Sequence, residues 1–260
     1  MGSSLREYKP LNQRTTENKE IHYTKKYYFV FEGSNTEVEY FKGIDRYSKQ
    51  LEISNMIEII ILEKGESIKN NSAPIRLLQE AKNKKEELID IDKFDESVDE
   101  FVIVFDRDSF KPVDKKQKEY LEFILEAKKY AILAVTSPCF EIWLLLHFHQ
   151  ISIENAKKQI KRTDIATLTA FEKYYEEFRQ NIKISNKHTF TSNAFSLTSG
   201  INSKSNLNFD DLLLDKVEIA INQEHSPILE TDINKMVNKL GSNIGQLIEL
   251  LKIDPRENAN

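Results

Sequence analysis

The sequence is poor in the residues that build flexible or cross-linked proteins. Only 7 of its 260 residues are Gly and 6 are Pro. That Gly share is under half the usual share of about 7%, which excludes collagen and Gly-rich linker chains. The single cysteine, Cys139, excludes a disulfide framework and any cysteine-based zinc site. It points to a reducing compartment, or to one where disulfides are unnecessary. Long apolar runs are missing too. Stretches such as 57–62, which Glu58 interrupts, and 142–146 fall far short of the ~20 residues of a membrane span. The N-terminus is polar, with no signal-peptide core, and Arg6 stands where a myristoylation pattern needs Ser or Thr. The expectation is a cytoplasmic protein.

What is present is core material. Fifteen Phe and ten Tyr join many Ile and Leu, which excludes a disordered chain and fits one large domain or two small ones. The formal charge of −5 marks no obvious nucleic-acid binder. The charge is uneven, however. Residues 80–100 carry nine acidic and four basic side chains, and residues 155–190 carry eight basic and four acidic ones. That asymmetry is compatible with a metal site beside a phosphate-binding surface.

Residues 1–25 lack periodicity and read as a weakly ordered extension. From 26 to 150, short apolar runs alternate with helical patterns. Strands are expected at 27–31, 57–62, 101–105 and 130–135. Helices are expected at 34–47, 73–89, 115–129 and from Ser137-Pro138 through 148. Apolar strands separated by helices predict an α/β fold with a mostly parallel sheet flanked by helices. From 151 to 260 the pattern becomes mainly helical, at 153–162, 167–179, 210–224 and 232–251, with a polar loop at 185–208. Gly241 and Gly245 fall inside the last helical pattern, where Gly is costly and unexplained.

Three constellations could carry chemistry. In the first, Glu32 follows an apolar strand, at the end where open α/β sheets place ligands. A strand-end carboxylate gains nothing from capping, which favours function. Gly33 allows a sharp turn there. Glu37 lies in the next helical turn, and Ser34-x-x-Glu37 also reads as a capping box. In the second, Asp106-Arg107-Asp108 ends another apolar strand. Residues two apart point the same way in extended chain, so Asp106 and Asp108 would project together. Paired carboxylates repel unless a cation lies between them, and Mg²⁺ prefers such oxygen ligands.

In the third, Ser137 and Pro138 read as N-cap and first helical residue. Phe140, Trp143, Leu144 and His147 then follow core spacing. Glu141 is an isolated carboxylate in an apolar first turn, with favourable placement at the positive helix end as the alternative. His147 and His149 do not share a helical face, which argues against a zinc pair. Lys157, Lys158, Lys161, Arg162, Lys183 and Lys187 form a basic group that could hold a phosphate backbone, or simply a solvated face.

Glu32-Gly33 after one strand and Asp106-x-Asp108 after a later one resemble the motif pair of Toprim domains. More closely, EGSNTEVEYF (32–41), FVIVFDRDSF (101–110) and SPCFEIWLLLHF (137–148) resemble the RloB family. The resemblance implies a Toprim-like sheet domain with a mainly helical RloB-type C-terminal region. It implies Glu32, Asp106 and Asp108 as ligands of Mg²⁺ or Mn²⁺, with general acid or base as the alternative role of Glu32. Glu37 matches a second acidic position of related nucleases, and Glu141 belongs to the RloB motif and joins the catalytic candidates. The resemblance further implies a nuclease acting on DNA or RNA, tRNA included, in antiviral defence, with an AAA- or ABC-type ATPase partner. A non-catalytic or partner-gated effector is the alternative. A phosphatase of the haloacid dehalogenase type is disfavoured by Phe110, where that motif needs Thr or Val. A nucleotide-sugar transferase leaves Glu32-Gly33 unexplained.

Overall fold

A computed structural model describes residues 25–62, 74–107, 114–148, 191–196, 199, 209–227, 229–236 and 239–253. The N-terminal extension up to residue 24, the helices expected at 153–162 and 167–179, and the six basic candidates lie outside these residues.

The elements run β1 (Lys25–Phe31), α1 (Thr36–Arg46), β2 (Ile57–Ile61), α2 (Pro74–Asp90), β3 (Glu100–Asp106), α3 (Asp114–Ala127) and β4 (Ile132–Ser137). They continue with α4 (Glu141–Leu145), α5 (Phe209–Leu212), a 3₁₀ turn (Leu214–Lys216), α6 (Val217–Glu224), β5 (Gly241–Ser242) and α7 (Ile244–Lys252). The protein is α/β. Its sheet has the order β2-β1-β3-β4-β5, with β5 alone antiparallel to its neighbour.

This order explains which helix covers which face. The connection from β1 to β2 runs one way across the sheet. Those from β2 to β3 and from β3 to β4 run the other way. Right-handed crossovers must then place α1 on one face and α2 and α3 on the opposite face. The side chains agree. Tyr27, Phe29 and Phe31 pack with Tyr40, Phe41 and Ile44 of α1. Tyr28 and Val30 pack with Leu77 and Ala81 of α2 and with Tyr120 and Phe123 of α3. On the first face α4, α6 and α7 complete the cover, with Trp143, Ala220, Leu247 and Ile248 all buried. Described elements on both sides of residue 150 thus share one sheet and one core. No helix among the described residues is long and apolar enough to cross a membrane.

Several expected elements need correction. The pattern at 232–251 is not one helix. Ile233 and Met236 pack with α2 and α3, whereas Leu240, Ile244, Leu247 and Leu251 pack on the opposite face. The segment wraps around the β4 edge of the sheet, which no straight helix could do. On the way β5 pairs Gly241 with Ser137 and Ser242 with Thr136. Asn243 then acts as a surrogate strand. Its Oδ1 accepts the Val135 N–H at 2.6 Å and its Nδ2 donates to the Leu133 carbonyl at 2.8 Å. Edge backbone groups that would otherwise stay unpaired are thereby satisfied.

The two glycines now have reasons. A side chain at Gly241 would overlap the Glu230 carbonyl, to which this strand is bridged. At Gly245 a Cβ would come within 2.6 Å of Glu224 Oε2. The buried Glu224 carboxylate caps α7, accepting the N–H groups of Gly245 and Gln246 at 3.0 Å each. The 210–224 pattern is also broken, at the 3₁₀ turn. Within the expected loop at 185–208, residues 191–196 are helical, because Ala194 and Phe195 are buried in the core.

Candidate functional site

Neighbouring strands β1 and β3 leave the sheet in opposite directions, β1 toward α1 and β2, β3 toward α3 and β4. In an open α/β sheet such a switch point opens a crevice at the carboxyl ends of the strands, where ligands bind. Glu32 and Asp106 stand on its two sides.

The β1–β3 ladder runs to its end there. The Glu32 N–H donates to the Val104 carbonyl at 2.8 Å. The next donor, the Asp106 N–H, goes to Glu32 Oε2 at 2.9 Å. A side chain thus takes over from the backbone as the strands separate. Glu32 therefore has a structural task, closing the ladder, beside any functional one.

Asp106 continues the alternation of Val102 and Val104, onto the face covered by α1 and α4. Its Oδ1 accepts the Thr136 hydroxyl at 2.6 Å. Thr136 is its register partner on β4 and is buried. Arg107 points the other way. Its guanidinium lies 4.4 Å from the centre of the Tyr120 ring on α3. Burial raises the Tyr120 phenol pKa well above its ordinary value, and the nearby Arg107 charge offsets part of that rise.

Glu37 and Gly33 form one contact. A Cβ on Gly33 would overlap the Glu37 carboxylate, so the carboxylate lies over the Gly33 backbone. Gly33 is not in the left-handed region, and the atoms that a Cβ would meet belong to the flexible end of the Glu37 side chain. The capping box also differs from expectation. The N-cap of α1 is Asn35, which makes no side-chain cap bond. This places Glu37 at the second helical position, so Ser34 and Glu37 do not occupy the box positions. We expect Gly33→Ala to push the flexible end of the Glu37 side chain aside at a cost of about 1 kcal/mol or less, below the roughly 1–3 kcal/mol usual for overpacking a core. In a Glu37→Ala background that cost should drop to near zero, as denaturant unfolding of the four proteins in a double-mutant cycle would show. Equal costs in both backgrounds would refute the contact.

The third constellation is rearranged. Ser137 does not cap a helix. It pairs with β5, and its hydroxyl donates to the Lys239 carbonyl at 2.7 Å. The chain stays extended there, so α4 starts at Glu141, with Phe140 as N-cap. Glu141 is buried and accepts the Ser192 hydroxyl at 3.2 Å. Phe140, Trp143, Leu144 and His147 are core residues, as their spacing indicates, and Cys139 is buried beside them.

The sheet thus brings Glu32, Asp106 and Thr136 together. Among the described residues no three His, Cys, Asp or Glu side chains converge as a metal site. Asp108 lies outside the described residues, as do His149 and Lys157, Lys158, Lys161, Arg162, Lys183 and Lys187. Thr136 is the site residue that the sequence reading missed. Its local signal is a hydroxyl directly after the apolar run of β4.

An open sheet covered on both faces, with carboxylates at its switch point, defines a doubly wound α/β protein. The family model for RloB-like proteins matches residues 27–251, and the chain belongs to that family. The match runs from β1 into α7, so it takes in the C-terminal wrap as well as the sheet. No curated protein and no solved structure matches the chain.

Proposed function

We propose that the crevice is a Toprim-like site for metal-dependent phosphodiester hydrolysis. The protein would be a nuclease acting on DNA or RNA, tRNA included, as an effector of bacterial antiviral defence with an AAA- or ABC-type ATPase partner. One observation carries this reading: Glu32 and Asp106 lie on adjacent strand ends at the switch point and are joined through the Asp106 N–H.

The donor chemistry fits Mg²⁺ or Mn²⁺, which take hard oxygen ligands and often use one or two carboxylates plus water and phosphate. Glu32, Asp106 and Asp108 would hold the ion. A carboxylate offers about four lone-pair sites, so one carboxylate can accept a hydrogen bond from the chain and also bind a metal ion. When bound, the ion would polarise the phosphate and lower the pKa of an attacking water. Within the chain, Glu32 orients the backbone of Asp106, and Glu37 and Glu141 complete the set of catalytic acids. The basic group from Lys157 to Lys187 would neutralise the nucleic-acid backbone.

The ladder-ending role of Glu32 favours a second reading, a partner-gated effector whose acidic edge serves recognition. The deciding experiment is a crystal structure with Mn²⁺ soaked in. An anomalous peak within ligand distance of Glu32, Asp106 and Asp108 is expected. Carboxylates that stay apart with no metal between them would overturn the nuclease reading.

A further inference from the structure

We propose that Thr136 is the positioning residue of this site, holding the Asp106 carboxylate in the orientation that binds the metal. The inference rests on the metal site proposed above and adds a residue to it. Thr136 is fixed on both sides, its backbone paired with Asp106 of β3 and with Ser242 of β5. It is only 1% exposed. Its hydroxyl donates to Asp106 Oδ1 at 2.6 Å, a length typical of strong hydrogen bonds to a charged oxygen. Being β-branched, threonine is stiff at χ1, so little freedom remains for the donor.

Asp106 is consequently held at two points by two different strands. The Glu32 carboxylate from the β1 end holds its backbone N–H, and Thr136 from β4 holds its side chain. Committing Oδ1 to Thr136 sets the plane of the carboxylate and the direction in which Oδ2 is presented. Partners that orient metal ligands in this way typically account for about 10–100-fold in metal affinity or activity. The β5 strand supports the arrangement from outside. By pairing with Thr136 and Ser137 it keeps the end of β4 extended, so that the hydroxyl reaches β3.

The test uses the full chain and Mn²⁺ alone, with binding followed by electron paramagnetic resonance and calorimetry. Thr136→Val removes the hydroxyl and keeps the shape. It should weaken Mn²⁺ binding about ten-fold or more. Thr136→Ser restores the donor and should recover most of the affinity, which a purely space-filling role would not produce. Asp106→Ala serves as the reference for a lost ligand. Thermal melts show whether Thr136→Val is folded, and if it is not, the Thr136→Ser and Thr136→Ala pair gives the same comparison. If Thr136→Val binds Mn²⁺ within about two-fold of the parent while Asp106→Ala does not bind, the positioning role is wrong and the metal site stands. If the parent chain itself fails to bind Mn²⁺, the metal site is wrong and the positioning role falls with it.

Discussion

Asp106→Ala is expected to lower Mg²⁺- or Mn²⁺-dependent phosphodiester cleavage by more than about 100-fold, since a direct ligand should matter at least as much as the outer partners that give 10–100-fold effects. The fold should survive. Glu32 binds the backbone N–H of residue 106, which the substitution retains, so the β1–β3 ladder still closes. What is lost is the acceptor for the Thr136 hydroxyl, a bond to a charged group in the range of about 1.5–3 kcal/mol. Asp106→Asn separates the two effects. It can keep an oxygen facing Thr136 while removing the charge that a divalent ion needs. We therefore expect Asn to be closer to the parent in thermal stability than Ala, and about as inactive as Ala. Single-turnover cleavage assays with added metal, paired with thermal melts, read both quantities. Cleavage that persists unchanged in both variants would remove Asp106 from the reaction.

The second large effect concerns acid stability. His147 is fully buried at the end of the α4 region. Its Nδ1 lies 3.1 Å from the Trp143 carbonyl, which can only accept, so Nδ1 carries the proton. Nε2 therefore accepts the Tyr40 hydroxyl at 3.1 Å. Burial pushes the His147 pKa down from 6.5 to about 3, and the nearby Lys216 charge acts in the same direction. The unfolded chain takes up this proton near pH 6.5, whereas the folded chain resists until about pH 3. Stability from this group is therefore fully present above pH 6.5 and is lost as pH falls toward 3, at about 1.4 kcal/mol per pH unit. Glu224 works in the opposite sense, because burial raises its pKa and its contribution is lost as pH rises.

His147→Gln removes only the histidine part of this balance. Relative to the parent, its urea midpoint should fall less steeply between about pH 6.5 and 4.5, where the parent loses about 2 kcal/mol through His147. Parallel midpoint curves would mean that His147 takes up its proton in the folded protein. The consequence reaches the site, since Tyr40 belongs to α1, the helix that also carries Glu37, and its ring packs against Phe140 and Trp143 of the α4 region.

The strand–helix alternation was legible because each element carries its own short-range pattern. Phe29 and Val104 sit in continuous apolar runs, as strands buried on both faces require. Glu32 and Asp106 were legible for the same reason, as carboxylates ending those runs. The C-terminal part was not. The apolar residues from Ile233 to Leu251 have helical spacing, yet they serve two faces of one sheet.

The sequence by itself therefore determined the parallel sheet, its covering helices and the acids at its strand ends, because hydrophobic period and strand-end position are local properties. Only the tertiary structure decided that Thr136 meets Asp106, that Glu32 closes the β1–β3 ladder, that Ser137 pairs with a strand instead of capping a helix, and that Gly245 makes room for Glu224. Each of these depends on register between segments 21 to 104 residues apart in the chain. Such register is set by how the whole sheet and its two layers pack, and no local pattern records it.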